Sequence, residues 1–420
     1  MGMSLMDMMR LQWALVRGRY RGLLVDTEAR RQECQALLDS IRGEELGRAR
    51  YVLDAPLFQH GQLTDDGIIA VLDTQTDRVV GALRATRMSL FVRRPELAPD
   101  FQFDADLLGD LTDTAFLCHH LVVTPEHRKT AASLVLMSTV YGLGVVQRGR
   151  MCLIDCEPPL ARIYRRLGFL PIGQPYTRHG VIFIAMILVN HDAAHLRRVR
   201  SPLLRTWRAM GRPRDEAGVA WAAQMKASGH LPSRYFEAVG TSEAIEAQLF
   251  DSLSDKGRAE MLQNATRIQL QPGQVVMRQG DIGTWFGVLE AGTLEARVEG
   301  RTTAVLHPKD VVGDRACVRR GRRMSDVVAG PSGATLVMLS PGAFKRVKDA
   351  EDRAQLWTNV ARLLAEQLPG PTCTPVPEPT QPRALDALPL SDQLTPVSVT
   401  HPASPLSSST PTGRDLSTGS

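Results

Sequence analysis

Gly313, Asp314 and Arg323 bring a tight turn, an anionic acceptor and a permanent cation into one loop, with the arginine nine positions after the aspartate. The surrounding stretch, LHPKDVVGDRACVRRGRRMSDVVA from Leu306 to Ala329, opens as Leu-x-Pro-x-Asp-x-x-Gly, where an apolar run ends and the chain must turn. A guanidinium beside exposed loop amides is suited to an anionic oxygen cluster such as phosphate. In the N-terminal half, His119 and His120 interrupt another apolar run. A neutral imidazole accepts a proton near pH 7, so either ring could act as general base for an amine. Strand alternation would put the two rings on opposite faces, leaving at most one to face a cleft. Cys152 and Cys156 form a C-x3-C spacing without a second pair, which argues against zinc, and no histidine is spaced to activate either thiol.

Elements must position these groups. Thr27 to Arg50 reads as a helix with Leu37, Leu38 and Ile41 on one face. Ile68–Asp73 and Val79–Arg84 read as strands around the polar turn from Thr74 to Asp77. Leu117–Val123 is a strand, Ala131–Gln147 a helix, Met151–Asp155 a strand, Pro159–Leu167 a helix closed by Gly168, and Val181–Val189 a strand. The arginine-rich segment from His195 to Arg214 is either a solvated linker helix or a patch for phosphate or a carrier protein. Helical segments follow at Glu216–Lys226 and Ser242–Leu249, and then short strands at Phe286–Leu289, Gly292–Val298, Ala304–Leu306, Val327–Ala329 and Thr335–Leu339. Glu351 to Leu368 is a strong helix, and Pro369 to Ser420 is rich in Pro, Ser and Thr, too apolar-poor to order itself.

The chain has 420 residues, 43% hydrophobic, enough for more than one core. Lys+Arg 50 against Asp+Glu 45 gives a net charge of +5, too mild to demand nucleic acid. No apolar run approaches the ~20 residues of a membrane span, and the N-terminus makes a poor signal peptide. Scattered cysteines read as reduced thiols, and the expected location is cytoplasmic.

The Leu306–Ala329 stretch resembles the phosphate-binding cassette of cyclic-nucleotide-binding domains, which sets Gly-Glu before an Arg at about this spacing. The resemblance implies that Asp314 accepts from the ribose 2′-OH, that amides around Gly313, Arg315 and Ala316 hold the cyclic phosphate, and that Arg323 neutralises it. Met324 and Ser325 follow. Asp314 stands where the family prefers Glu, and Met324 lacks the hydroxyl that the family uses there to favour guanine, so cyclic AMP is the expected effector. The family often moves the long helix after its barrel, which here would bring Trp357 to stack on a purine, or else to anchor the helix. A cyclic-nucleotide fold that keeps its scaffold without a ligand is the other reading of the cassette.

The run from Leu121 to Leu134, LVVTPEHRKTAASL, resembles the cofactor-binding motif of the GNAT acyltransferase superfamily, and ARIYRRLGF from Ala161 to Phe169 resembles its later A-x-x-x-Y-x-x-x-G-F element. The ladder Val79-Val80-Gly81-Ala82-Leu83-Arg84 is similar to the branch of N-acyl amino acid synthases and autoinducer synthases. The resemblance implies that Val122, Val123, Arg128, Lys129, Thr130, Ala131, Ala132 and Ser133 hold the phosphates of acyl-CoA or of an acyl-carrier protein's phosphopantetheine, through loop amides and a helix N-terminus. It also implies that Tyr164 protonates the departing thiolate. Ala131 and Ser133 stand where the motif has Gly or Gly/Ala, and His120 where the synthase branch favours Arg.

The expected architecture is an α/β GNAT fold at 1–205, a helical linker at 206–246, a β jelly-roll cyclic-nucleotide-binding domain with flanking helices at 247–368, and a disordered tail at 369–420. The expected function is a cyclic-nucleotide-regulated N-acyltransferase acting on an amine, either a protein lysine or an amino acid. The alternative is a non-catalytic signalling protein with a degenerate GNAT domain. A DNA-binding regulator is disfavoured, because no helix-turn-helix follows the long helix.

Overall fold

The computed structural model describes residues 16–45, 51–58, 65–98, 101–128, 130–178, 181–212, 214–240, 243, 245–318 and 321–366. The expected tail, Lys129 and the N-terminal fifteen residues lie outside these. Two sheets dominate. The first carries β1 (Val16–Arg17), β2 (Tyr20–Leu24), β3 (Asp66–Asp73), β4 (Arg78–Arg87), β5 (Ala115–Val123), β6 (Met151–Cys156), β7 (Leu170–Pro171), β8 (Tyr176–Arg178) and β9 (Val181–Val189). Its order is β1-β2-β3-β4-β5-β6-β9-β7, with β8 paired to β9. Every pairing is antiparallel except β5–β6, which is parallel. A parallel pair needs a crossover, and helix α3 supplies it.

The helices follow chain order: α1 (Glu28–Asp39), α2 (Met88–Arg93), α3 (Ala131–Val146), α4 (Ala161–Leu167), α5 (Ala193–Arg198), α6 (Leu203–Ala209) and α7 (Glu216–Ala227). The expected helix from Thr27 is α-helical to Asp39 and closes in a wider π turn over Ser40–Glu45, with Leu38 and Ile41 buried against β3 and β4. Helix α3 is mostly apolar and is buried from Val135 to Leu143, while its first turn is partly exposed. The arginine-rich segment is not a solvated helix. It forms α5 and α6, whose His195, Leu196, Leu203 and Trp207 are buried, with α6 against α3. Its arginines point outward while the apolar residues between them reach the core.

The second sheet, β10 (Phe236–Ala238), β11 (Thr266–Leu270), β12 (Val275–Met277), β13 (Phe286–Val298), β14 (Arg301–Leu306), β15 (Val311–Val312) and β16 (Asp326–Leu339), is antiparallel throughout. Two expectations fail here. The strands expected at Phe286–Leu289 and Gly292–Val298 are one, β13, and those at Val327–Ala329 and Thr335–Leu339 are one, β16. Gly292 (φ +79°) and Gly333 (φ +74°) let the two strands kink together without ending: a Cβ on Gly292 would lie 2.2 Å from the Gly333 carbonyl oxygen. The helix expected from Ser242 to Leu249 is absent over its described residues. Ala247 is extended, and only the turn Gln248–Phe250 is helical, because Ile245, Ala247, Leu249 and Phe250 are drawn into the core instead.

Helices α8 (Asp255–Leu262), α9 (Arg315–Val318) and α10 (Ala350–Glu366) flank this sheet. Helix α10 is clamped to the segment before the barrel. Asp352 accepts from the Ser254 amide at 2.8 Å and hydroxyl at 2.6 Å, and Asn359 Nδ2 donates to the carbonyls of Leu249 and Asp251 at 3.1 and 2.8 Å. One cluster of buried side chains joins the sheets, containing Ile154 and Ile184 from the first and Ile268 and Leu336 from the second, with Phe169 and Trp285 from the residues just before β7 and β13. No helix among the described residues is long and apolar enough to cross a membrane.

Candidate functional site

The loop after β15 carries the first set of candidates. Gly313 turns the chain at φ +74°, a conformation that glycine adopts freely. Asp314 is buried, and α9 follows with Arg315 exposed. The chain returns along 280–283: Arg323 N donates to Asp281 O at 2.7 Å, and Gly280 N to Arg323 O at 2.9 Å. The Arg323 side chain folds inward. Its Nη2 donates to the Trp285 carbonyl at 2.6 Å, its Nη1 to the Gly313 carbonyl at 3.4 Å, and its guanidinium carbon lies 4.8 Å from the Trp285 ring centroid. Asp314 and Arg323, nine positions apart in sequence, are thus both buried in one loop. Met324 is 59% exposed and Ser325 half-buried. Nothing is described of the Ala316 side chain. Trp357 stacks on Phe344 (centroids 5.0 Å apart) and is 45% exposed.

Residues 267–351 match the family model of the cyclic nucleotide-binding domain. That domain therefore contains Gly313, Asp314 and Arg323, together with β12 to β16. Its C-terminal limit lies at the start of α10.

Solved structures of two kinds show similarity to parts of the chain. A cyclic nucleotide-binding-like protein from Brucella abortus is 22% identical over 24% of this chain and 88% of its own, with a TM-score of 0.22. The catabolite activator protein of Thermus thermophilus is 24% identical over 29% and 58%, TM-score 0.26. A candidate N-acetyltransferase from Lactobacillus plantarum is 15% identical over 41% and 99%, TM-score 0.30. No curated protein sequence matches the chain.

The second set gathers where β5 and β6 part. Their parallel register ends at Cys118–Ile154, yet β5 runs on to Val123 and β6 to Cys156. The β4–β5 register also shifts there, between Ala82–Val122 and Arg84–His119, and His120 sits at φ +54°. This is a bulge, and it overturns the alternation expected of the two histidines: their ring centroids lie 4.8 Å apart. The His119 Nε2 lies 2.9 Å from the Thr86 hydroxyl, which itself donates to Asp66 at 2.8 Å. A hydroxyl has one proton, so His119 donates from Nε2 and keeps a bare lone pair on Nδ1. His120 Nδ1 accepts from Arg42 at 3.2 Å, which leaves its proton on Nε2. Among the described residues, His119 Nδ1 and His120 Nε2 are buried and without a partner. Burial, with Arg84 and Arg178 nearby, lowers the His119 pKa to about 3. Burial and the neighbouring His119 lower that of His120 also.

Beneath this pair lies a network that the sequence reading did not single out. Arg84, 2% exposed, donates to both Asp66 oxygens, to Asp54 at 2.9 Å and to the Tyr51 hydroxyl at 2.6 Å. The Tyr51 ring lies 3.7 Å from that of His120. The signal was present as one charge inside an apolar strand, which must be paired if it is buried.

Tyr164 projects from α4 as half-buried packing against the Phe169 ring (5.8 Å). Tyr164 packs against the buried cluster that contains Cys118, Cys152, Ile154 and Cys156, residues of β5 and β6. Burial above all pushes its pKa up and keeps it protonated. The Cys118 and Cys152 sulfurs are 3.4 Å apart and both thiols are free. Cys156 is buried and its pKa is raised by that burial, so it is no nucleophile.

The loop between β5 and α3 is pinned at its base. His127 meets the Thr124 hydroxyl at 2.7 Å and Asp73 at 3.3 Å, and Arg128 Nε donates to the Val123 carbonyl at 3.1 Å. Thr130 caps α3, its hydroxyl oxygen accepting from Ala132 N at 3.2 Å. Ala131 is exposed, Ser133 half-buried, and Ala132, Val122 and Val123 buried.

Proposed function

We propose that this chain is a cyclic-nucleotide-responsive N-acyltransferase, with a GNAT fold in its N-terminal α/β half. The observation that carries the reading is the parallel β5–β6 pair whose register ends at Cys118–Ile154, with Tyr164 packed against the cluster that contains Cys118, Ile154 and Cys156. A parting beyond that register lets a linear donor lie between two strands and meet backbone groups that sheet pairing would otherwise consume. The donor is acyl-CoA or the phosphopantetheine of an acyl-carrier protein. Its phosphates fit the loop from Arg128 to Ser133 at the start of the sixteen-residue helix α3. The acceptor is an amine of a protein lysine or an amino acid.

The amine nitrogen forms a bond to the thioester carbonyl carbon as the carbon–sulfur bond breaks. Tyr164 gives its proton to the departing sulfur and regains one from the newly bonded nitrogen. His119 and His120, held neutral by their lowered basicity, present a bare acceptor and a bare N–H at the bulge, suited to orienting the reacting groups. In the cyclic nucleotide-binding domain, Asp314 takes the ribose and Arg323 the cyclic phosphate, and cyclic AMP is the effector. Buried free thiols support a cytoplasmic setting.

A second reading, a non-catalytic signalling protein, is favoured by one observation: Thr130 already caps the Ala132 amide that a donor phosphate would use. Mass spectrometry of small molecules retained by the purified protein separates the two. An acyl-CoA or pantetheine adduct with cyclic AMP supports the acyltransferase; cyclic AMP alone, with no binding of added acyl-CoA, supports the signalling protein.

A further inference from the structure

The cassette and Tyr164 are joined by a short run of contacts that no helix movement is needed to complete. Arg323 holds the carbonyl of Trp285 at 2.6 Å. The residue before it, Thr284, donates its hydroxyl to Glu157 Oε2 at 2.6 Å. Glu157 follows directly on the end of β6, and the next residue, Pro158, accepts at its carbonyl from the buried Thr266 hydroxyl of β11 at 2.9 Å. The turn Pro158–Leu160 then opens α4, which carries Tyr164. Trp285 itself is buried in the cluster that contains Ala161, Leu167 and Phe169.

We propose that Thr284 and Glu157 are positioning residues through which occupancy of the cassette sets the placement of Tyr164. The inference rests on the reading of the two halves given above and names the route between them. A phosphate that binds the Arg323 guanidinium through Nη2 competes with the Trp285 carbonyl for that donor. Release of that carbonyl lets the Trp285–Phe286 peptide turn about the Trp285 backbone, and Thr284 adjoins it on the other side. The Thr284–Glu157 hydrogen bond then carries the rotation to the start of α4. Pro158 and Pro159 stiffen the connection, because each fixes its own backbone φ. The two arrangements differ in nucleotide affinity, as any ligand-driven shift requires, because Arg323 Nη2 bonds the Trp285 carbonyl in one and the phosphate in the other. The long helix α10 is not part of this route: its Asp352 and Asn359 are bonded to residues 249–254.

The test uses the full chain and cyclic AMP as the probe, with calorimetry for binding and amide hydrogen exchange over 158–168 for the response. In the wild-type protein, cyclic AMP binds and changes exchange in this segment by about 5-fold or more, the lower end of ordinary coupling. Thr284→Val binds cyclic AMP as the wild type does, but its exchange response falls below about 2-fold, and Thr284→Ser restores it. If Thr284→Val does not fold, Glu157→Gln, which keeps the shape and weakens the acceptor, must shrink the response in the same way. A full response in Thr284→Val, or loss of its cyclic AMP binding, overturns the route. Wild-type binding without any change over 158–168 overturns the route and leaves the nucleotide site standing. No wild-type binding overturns both.

Discussion

Arg323 and Trp285 are held together twice, by a 2.6 Å hydrogen bond from guanidinium to carbonyl and by the stacking of that guanidinium 4.8 Å from the indole centroid. The cation at the centre of the cassette is therefore already coordinated from within the barrel. In the proposed reading, nucleotide phosphate would share or displace this contact, which would make Arg323 both the phosphate ligand and the sensor of its arrival. Arg323→Ala is expected to weaken cyclic AMP binding by about 1.5–3 kcal/mol, the range for a charge-assisted hydrogen bond. Calorimetry that finds unchanged affinity removes Arg323 from the site. Indole emission should also change on binding, and Trp285→Phe should abolish most of that change while Trp357→Phe leaves it, because Trp357 rests on Phe344.

Gly313 is the position where the cassette tolerates least. A Cβ there would lie 2.3 Å from Arg323 Nη1, at a φ of +74° that disfavours any side chain. Gly313→Ala should cost about 1–3 kcal/mol of stability in urea titration and lower cyclic AMP affinity as well. Wild-type values for both would show that the loop relaxes freely.

Stability should fall on mild acidification because of the histidine pair. The unfolded His119 binds a proton below about pH 6.5, whereas the folded one does so only near about pH 3. In that window the unfolded state holds more protons, so stability declines as pH falls, by about 1.4 kcal/mol per pH unit for this one group. Above about pH 6.5 both states are neutral and the slope vanishes. His119→Gln should flatten the decline between pH 6 and 4.5, on the order of one proton's worth. An unaltered slope in denaturant midpoints would show that His119 titrates normally.

Tyr164→Phe should lower acyl-transfer turnover by roughly 10²-fold with KM for the donor nearly unchanged, since the ring's packing on Phe169 survives and only the proton is lost. Normal turnover would make Tyr164 a packing residue.

What the sequence made legible was mostly local. The strand Val181–Val189 and the helix from Ala131 follow from apolar runs, and the cyclic nucleotide-binding domain from the resemblance carried by the stretch from Leu306 to Ala329. The bulge at His120 was not legible, because a positive φ at a residue other than glycine is imposed by neighbouring strands. Nor was the Arg84–Asp66 pairing, which joins residues on opposite strands of the β3–β4 hairpin. The inward turn of Arg323 depends on the Trp285 carbonyl, and backbone acceptors leave no mark in composition. Likewise β16 passes through Pro331 and Gly333, residues that read as a strand's end, because the kink is shared with Gly292 across the pair.

Control of transfer at Tyr164 by nucleotide at the cassette is the step that decides between the two readings. Its most direct measurement is release of free thiol from an acyl-CoA by the full-length chain, with an amine acceptor, during titration with cyclic AMP that is followed in parallel by calorimetry. Saturable binding is expected, with a change in the rate of thiol release at the same midpoint. Saturable binding with a rate that stays constant, or with no thiol released at any nucleotide concentration, would contradict it.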